Sequence, residues 1–152
     1  MNVGDTVVDF ELQDETGTGR TLSSLLENGP VVLFFYPMAM SAGCTVEACH
    51  FRDVASEFRA LGAQVVGVSH DSVDRQARFA AKHTLGYSLL SDPDGTVREQ
   101  FGVKRGISII SQTKRATFVI DTDRRVLAAV HSELRMNAHA DKALEALRAR
   151  RH

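Results

Sequence analysis

The stretch VVLFFYPMAMSAGCTVEACHFRD, residues 31–53, decides how the rest of the chain is read. Val31 to Tyr36 is an unbroken apolar run rich in β-branched and aromatic side chains, set between Asn28-Gly29-Pro30 and Pro37. Such a run reads as a strand buried on both faces. Beyond it, Phe51, Val54, Phe58 and Leu61 recur at spacings of three and four, which makes one apolar stripe of a helix, and Gly62 stands where a left-handed C-cap falls. Cys44 is thus placed near the start of a helix that follows a strand and a proline, a surface position rather than a core one. Unpaired N–H groups and the positive end of the helix dipole favour a thiolate there.

Pro37, Ser41 and Cys44 stand in a P-x-x-x-S-x-x-C arrangement. Pro37 sets φ as the chain leaves the strand. Ser41 can direct its hydroxyl to a first-turn N–H or to the Cys44 sulfur, and Gly43 leaves room for another backbone or a small substrate. The chain has 2 cysteines, Cys44 and Cys49, both on this helix. Such a pair is no disulfide framework, and in a reducing compartment it points to redox catalysis or metal binding. Metal ligation fares poorly, because no Cys-x-x-Cys or nearby His pair completes a set of ligands. Neither a metal nor another cofactor is expected.

The 152 residues suit one domain, 1–152, with an ordinary core. The 18 basic residues nearly balance the 19 acidic ones, so nothing points to nucleic acid or an acidic membrane as partner. No apolar run has the length of a membrane span, and Met1-Asn2-Val3-Gly4-Asp5 lacks the features of a signal peptide. A cytoplasmic location is expected. Alternation predicts a strand over Val7 to Leu12, a turn over Glu15 to Arg20 and a helical turn over Thr21 to Leu26. Further along come a strand over Val65 to Ser69, a helix over Ser72 to His83, a strand closing at Leu89-Leu90, and a turn at Asp92-Pro93-Asp94-Gly95. A short helix over Val97 to Phe101, a hairpin of Thr117 to Ile120 with Val126 to Val130, and a helix over Ala138 to Arg150 complete the chain; residues 104–114 fit no element. Strands alternating with helices, then a hairpin and a helix, predict an α/β fold with a mixed sheet covered on both faces.

The motifs FFYP, S-x-x-C and C-T-x-E-A-C-x-F-R-D resemble the peroxiredoxin family, and the step from Cys44 to Cys49 resembles its PrxQ, or bacterioferritin comigratory protein, branch. The likeness continues through Tyr87 to Asp92, Phe101-Gly102-Val103 and Arg115 to Asp121. It implies a thioredoxin-like three-layer sandwich, a mixed central sheet flanked by helices, with additional N-terminal strands. It also implies a thiol peroxidase that reduces hydrogen peroxide and organic hydroperoxides, with Cys44 peroxidatic and Cys49 resolving. Thioredoxin or a similar dithiol protein is the implied reductant, and a monomer or weak homodimer the expected state. Arg115 matches the family's active-site arginine and Glu47 the glutamate that orients it; Thr45, Arg52 and Asp53 match the motif as helix support.

Five residues of ideal helix separate two Cα atoms by ~8.6 Å, beyond the roughly 7 Å that a disulfide spans. The helix must therefore unwind for the two sulfurs to meet. Ala42 stands where the family usually has proline, which predicts a looser loop, and Met38 and Met40 make the rim apolar. None of the 6 histidines earns a role: His70 and His83 read as turn or surface residues, and His50 lacks a partner at ligand spacing. The alternative class is a redox sensor or thioredoxin-like binding module that switches shape without turnover. A disulfide reductase is disfavoured without Cys-x-x-Cys.

Overall fold

The computed structural model describes residues 1–103, 114–132 and 135–150. Its elements run in the order β1 (Glu11–Gln13), β2 (Gly19–Thr21), α1 (Leu22–Leu26), β3 (Val31–Phe35), α2 (Ala42–Asp53), α3 (Ala55–Ala60), β4 (Gln64–Ser69) and α4 (Val73–His83). Then follow β5 (Ser88–Ser91), α5 (Thr96–Gln100), β6 (Ala116–Ile120), β7 (Val126–His131) and α6 (Met136–Ala149). Seven strands form one mixed sheet in the order β2-β1-β5-β4-β3-β6-β7. β3 runs parallel to β4 and antiparallel to β6, so the predicted strand lies inside the sheet, buried throughout.

Period-two alternation along β3 divides the core in two. Val32, Phe34 and Tyr36 point to one face and pack with Phe51, Phe58, Phe79, Ala143 and Leu144, under α2, α3, α4 and α6. Val31, Leu33 and Phe35 point to the other and pack with Leu22, Leu25, Phe101 and Phe118, under α1 and α5. Phe34 stacks on Phe51 with centroids 4.4 Å apart, which fixes the Cys44 helix against the central strand.

The structure departs from the sequence reading in several places. The strand expected over Val7 to Leu12 begins only at Glu11, because residues 4–7 bond instead to the start of β7. Gly4 N–H donates to Val126 O at 2.8 Å and Val7 N–H to Arg124 O at 2.8 Å. The expected turn between Glu15 and Arg20 closes a hairpin whose second strand, β2, was not foreseen. The single helix expected from Cys44 to Leu61 is two, interrupted at Val54, where ψ is 11°. The break swings Phe58 onto Phe51, with centroids 6.0 Å apart. Gly62 does adopt the left-handed conformation, φ 75°, after Leu61. With Gly62 N–H on Arg59 O at 2.9 Å and Ala63 N–H on Phe58 O at 3.0 Å, it forms a Schellman end. Of the unassigned stretch 104–114, only Lys114 lies among the described residues. No helix among them is long and apolar enough to cross a membrane.

Candidate active site

β3 ends at Phe35, and Tyr36 N–H still donates to Val68 O at 3.1 Å before Pro37 stops the ladder. The loop that follows is tied down at Ala39. Its N–H donates to Asp71 Oδ2 at 2.7 Å, while Arg75 donates to Ala39 O at 3.2 Å and to Asp71 Oδ1 at 3.0 Å. Asp71 is buried and also accepts the Ser69 hydroxyl at 2.6 Å. The loop is thus anchored at Ala39 by Asp71, between β4 and α4, and by Arg75 of α4. Beneath it the buried Tyr36 hydroxyl donates to Gln76 Oε1, and Gln76 donates to Ser69 Oγ at 3.0 Å and Leu90 O at 2.8 Å. Burial pushes the Tyr36 phenol far above its ordinary range, so it remains a donor.

Met40 takes a left-handed φ of 72°, and the chain enters α2 through Ser41 at φ −71°, ψ 154°. Ser41 is the N-cap residue, yet its hydroxyl donates backwards to Met38 O at 2.9 Å and no side chain caps the first turn. This corrects the expectation that Ser41 would cap an N–H or donate to Cys44: the doubled-back loop brings the Met38 carbonyl within its reach first. Thr45 supports the turn, its hydroxyl donating to Ser41 O at 2.7 Å.

Cys44 lies in the first turn of α2 but is only 1% exposed, inside the core rather than at the surface. The reason is tertiary: Arg115, the residue before β6, and α6 close over it. Arg115 Nη2 donates to Cys44 Sγ at 3.3 Å, and Nη1 donates to Glu47 Oε1 at 3.0 Å. Burial opposes the guanidinium charge, but Glu47 and the Cys44 sulfur outweigh it and raise the Arg115 pKa above its ordinary value. Cys44 and Glu47 are one turn apart on the same helix face, so one planar fork spans both. A Cβ built on Gly43 would lie 3.3 Å from Arg115 Nη2 and 3.4 Å from Met136 Cε, so glycine permits this close approach. Met38 and Met40, on the loop before α2, are exposed apolar side chains, 40% and 37% accessible, as is Val46 on α2 at 52%.

Cys49 is half-buried further along the same unbroken helix, and both cysteines are free. Between them, Ala48 O accepts the Tyr87 hydroxyl at 2.7 Å. Arg52 donates to His83 O at 2.8 Å and pairs with Asp53 at 2.9 Å. His50 Nε2 lies 2.9 Å from Asp141 Oδ1. No group of acidic, His or Cys side chains among the described residues has the arrangement of a metal site.

The residue that sequence reasoning missed is His139. It is fully buried in α6, with Nε2 3.6 Å from Glu47 Oε2 and 2.8 Å from Ser132 O, and Nδ1 2.8 Å from Thr117 Oγ1. A signal existed: His139, Ala143 and Leu147 recur every fourth residue on the buried face of α6. A titratable side chain on an apolar stripe must find polar partners when it folds inward.

The AhpC/TSA family matches residues 3–129. The chain belongs to that family. It is 36% identical to peroxiredoxin Bcp of Escherichia coli K12 over 152 residues, covering 97% of this chain and 96% of that one. The crystal structure of peroxidoxin BcpB from Mycobacterium tuberculosis superposes with a TM-score of 0.95 at 61% identity, covering 100% of this chain and 99% of that one. The bacterioferritin comigratory protein of Xanthomonas campestris, described by its alkyl peroxide reduction activity, superposes at 0.84 with 30% identity, over 92% of this chain and 90% of that one. This AhpC/TSA member is accordingly a peroxidase-type oxidoreductase with a thioredoxin-like fold.

Proposed function

We propose that the chain reduces hydrogen peroxide and organic hydroperoxides through Cys44, with Cys49 as resolving thiol and thioredoxin or a similar dithiol protein as reductant. The observation that carries this reading is the Arg115 fork, which touches Cys44 Sγ and Glu47 at once. The Cys44 thiolate attacks one peroxide oxygen, the O–O bond breaks, and the departing oxygen leaves as water or an alcohol once protonated. Arg115 stabilises the sulfur before attack and the negative charge on the departing oxygen during it. Sulfur is oxidised by two electrons to a sulfenic acid. The Cys49 thiolate then attacks that sulfur, hydroxide leaves as water, and a disulfide forms within the chain. Exchange with an external dithiol returns both thiols.

Pro37 and Ser41 shape the approach, Gly43 admits Arg115, and Glu47 aims it. The exposed Met38 and Met40 and the alkyl peroxide activity of the Xanthomonas relative support hydroperoxides with an organic tail as substrates. The flexible thioethers of Met38, Met40 and Met136 are the side chains that yield to let a peroxide reach the buried sulfur. A single domain, in a monomer or weak homodimer, working in the cytoplasm, completes the reading.

Stopped-flow oxidation of wild type, Cys44→Ser and Cys49→Ser, with mass analysis, is the test. Many turnovers in the wild type, none in Cys44→Ser, and a sulfenic acid without a disulfide in Cys49→Ser are expected. One oxidation without turnover would mark the protein as a redox sensor instead.

A further inference from the structure

Glu47 can hold Arg115 only if something holds Glu47. One carboxylate oxygen, Oε1, accepts from Arg115, while the other, Oε2, faces His139 Nε2 at 3.6 Å. Both side chains are wholly buried, so the charge on Glu47 depends on what its surroundings supply.

The hydrogen on that imidazole is fixed by its partners. Ser132 O is a carbonyl and can only accept, so Nε2, 2.8 Å away, carries a hydrogen. Glu47 Oε2, at 3.6 Å, lies within ion-pair distance of the same nitrogen but beyond hydrogen-bond reach. At Nδ1, 2.8 Å from Thr117 Oγ1, the hydroxyl donates to a neutral ring or accepts from a charged one. Either way the positive, hydrogen-bearing side of the ring lies beside the carboxylate, close enough to act on it through charge. Thr117 is buried in β6 opposite Phe34 of β3, and the ring is therefore held from β6 and from Ser132, just past β7.

We propose that His139 is a positioning residue for the peroxide reaction, reaching Cys44 from α6 through Glu47 and Arg115. This deepens the reading that Cys44 is the reacting sulfur and rests on it. The imidazole keeps Oε2 of Glu47 in place, which leaves Oε1 for Arg115 Nη1, which in turn aims Nη2 at the sulfur. Glu47 lies between Cys44 and Cys49, so the same contact ties α6 to the part of α2 that must open for the disulfide to form. The chain His139, Glu47, Arg115, Cys44 is made whole only while α2 is folded.

Two substitutions separate positioning from packing. His139→Phe keeps a ring and removes both nitrogens, whereas His139→Gln restores a donor near the place of Nε2. In a Cys49→Ser background, Cys44 alkylation by iodoacetamide is followed across pH, and its oxidation by hydrogen peroxide is followed by stopped flow. We expect His139→Phe to slow both at neutral pH by about tenfold, the size of one lost charge-assisted contact, and to move the alkylation midpoint upward. His139→Gln should recover most of both. A folded His139→Phe with the wild-type alkylation profile overturns the proposal, as does an equal loss in the Phe and Gln variants. If His139→Phe does not fold, Thr117→Val frees Nδ1 with little change of shape; an upward midpoint supports the proposal and an unmoved one overturns it. Alkylation reports on Cys44 whether or not peroxide is consumed. A protein that ignores peroxide while its alkylation profile responds to His139 would sink the peroxidase reading and keep the positioning role.

Discussion

At the scale of single residues, the site is an argument about reach. Arg115 contacts a sulfur and a carboxylate through two nitrogens of one rigid plane, and a lysine offers a single point charge. Arg115→Lys should therefore lower the rate of Cys44 oxidation by about a hundredfold, a loss typical of a removed transition-state donor, while leaving the fold intact by circular dichroism. Gly43→Ala tests the same closeness from the other side. Its methyl group would press on Arg115 Nη2 and the Met136 thioether, so slower oxidation is expected, and an unchanged rate would show that Arg115 gives way freely. Cys44 itself shows what one residue's sequence context conceals. The helix start was legible from the apolar stripe and from Pro37, but its burial was not. The groups that cover it arrive from Arg115 and Met136, distant in sequence and adjacent only after folding.

At the scale of elements, α2 must be stable enough to present Cys44 and weak enough to release it. The helix begins without a side-chain cap at Ser41, which leaves first-turn N–H groups unserved by that hydroxyl. It is held midway by Tyr87, whose hydroxyl meets Ala48 O between the two cysteines, and near its end by Arg52 on His83 O. Tyr87→Phe removes a partly buried hydrogen bond worth about 1 kcal/mol. Hydrogen exchange over residues 44–52 should quicken in that variant, and the intramolecular disulfide should form faster after a peroxide pulse. Slower disulfide formation would mean that Tyr87 guides the opening instead of restraining it. In the wild type, oxidation should reduce amide protection from Cys44 to Cys49, since two sulfurs five residues apart on an ideal helix are out of bonding range. The interruption at Val54 is an element-scale feature that periodicity could not reveal. Phe51 and Phe58 keep the spacing of one stripe, and the change of axis shows only in the packing, where Phe51 stacks on Phe34 and Phe58 on Phe51.

At the scale of the molecule, the carboxylates decide how the fold meets acid. Burial acts to raise the pKa values of Asp9, Asp14 and Asp121, but hydrogen bonds win and hold all three below the ordinary range. The partners are the Ser23 hydroxyl and amide for Asp9, the Thr16 hydroxyl and amide for Asp14, and Arg150 for Asp121. A group whose folded pKa is depressed stabilises the protein above its unfolded pKa and ceases to as pH falls through the folded value. Glu15 has the opposite sign, since burial raises its pKa and its contribution favours the fold at low pH. Three against one predicts a thermal midpoint that falls as pH is lowered from about 5 to about 3. Asp121→Asn should flatten part of that slope, because Arg150, the C-cap of α6, 2.9 Å away, would lose this charged contact across the end of the β6–β7 hairpin. A midpoint that rises on acidification would contradict the assignment.

The sequence by itself determined the order of strands and helices around residues 31–53, the place of Cys44 at a helix start, and the pairing of Cys49 with it on the same helix. Those follow from local periodicity, from proline and glycine, and from spacing along one element. The register of β3 against β4 and β6, the burial of the sulfur, the backward turn of the Ser41 hydroxyl and the presence of His139 were decided by tertiary structure. Each depends on which distant side chain reaches a polar or reactive atom first, and that competition among partners exists only once the sheet and helices have closed on one another.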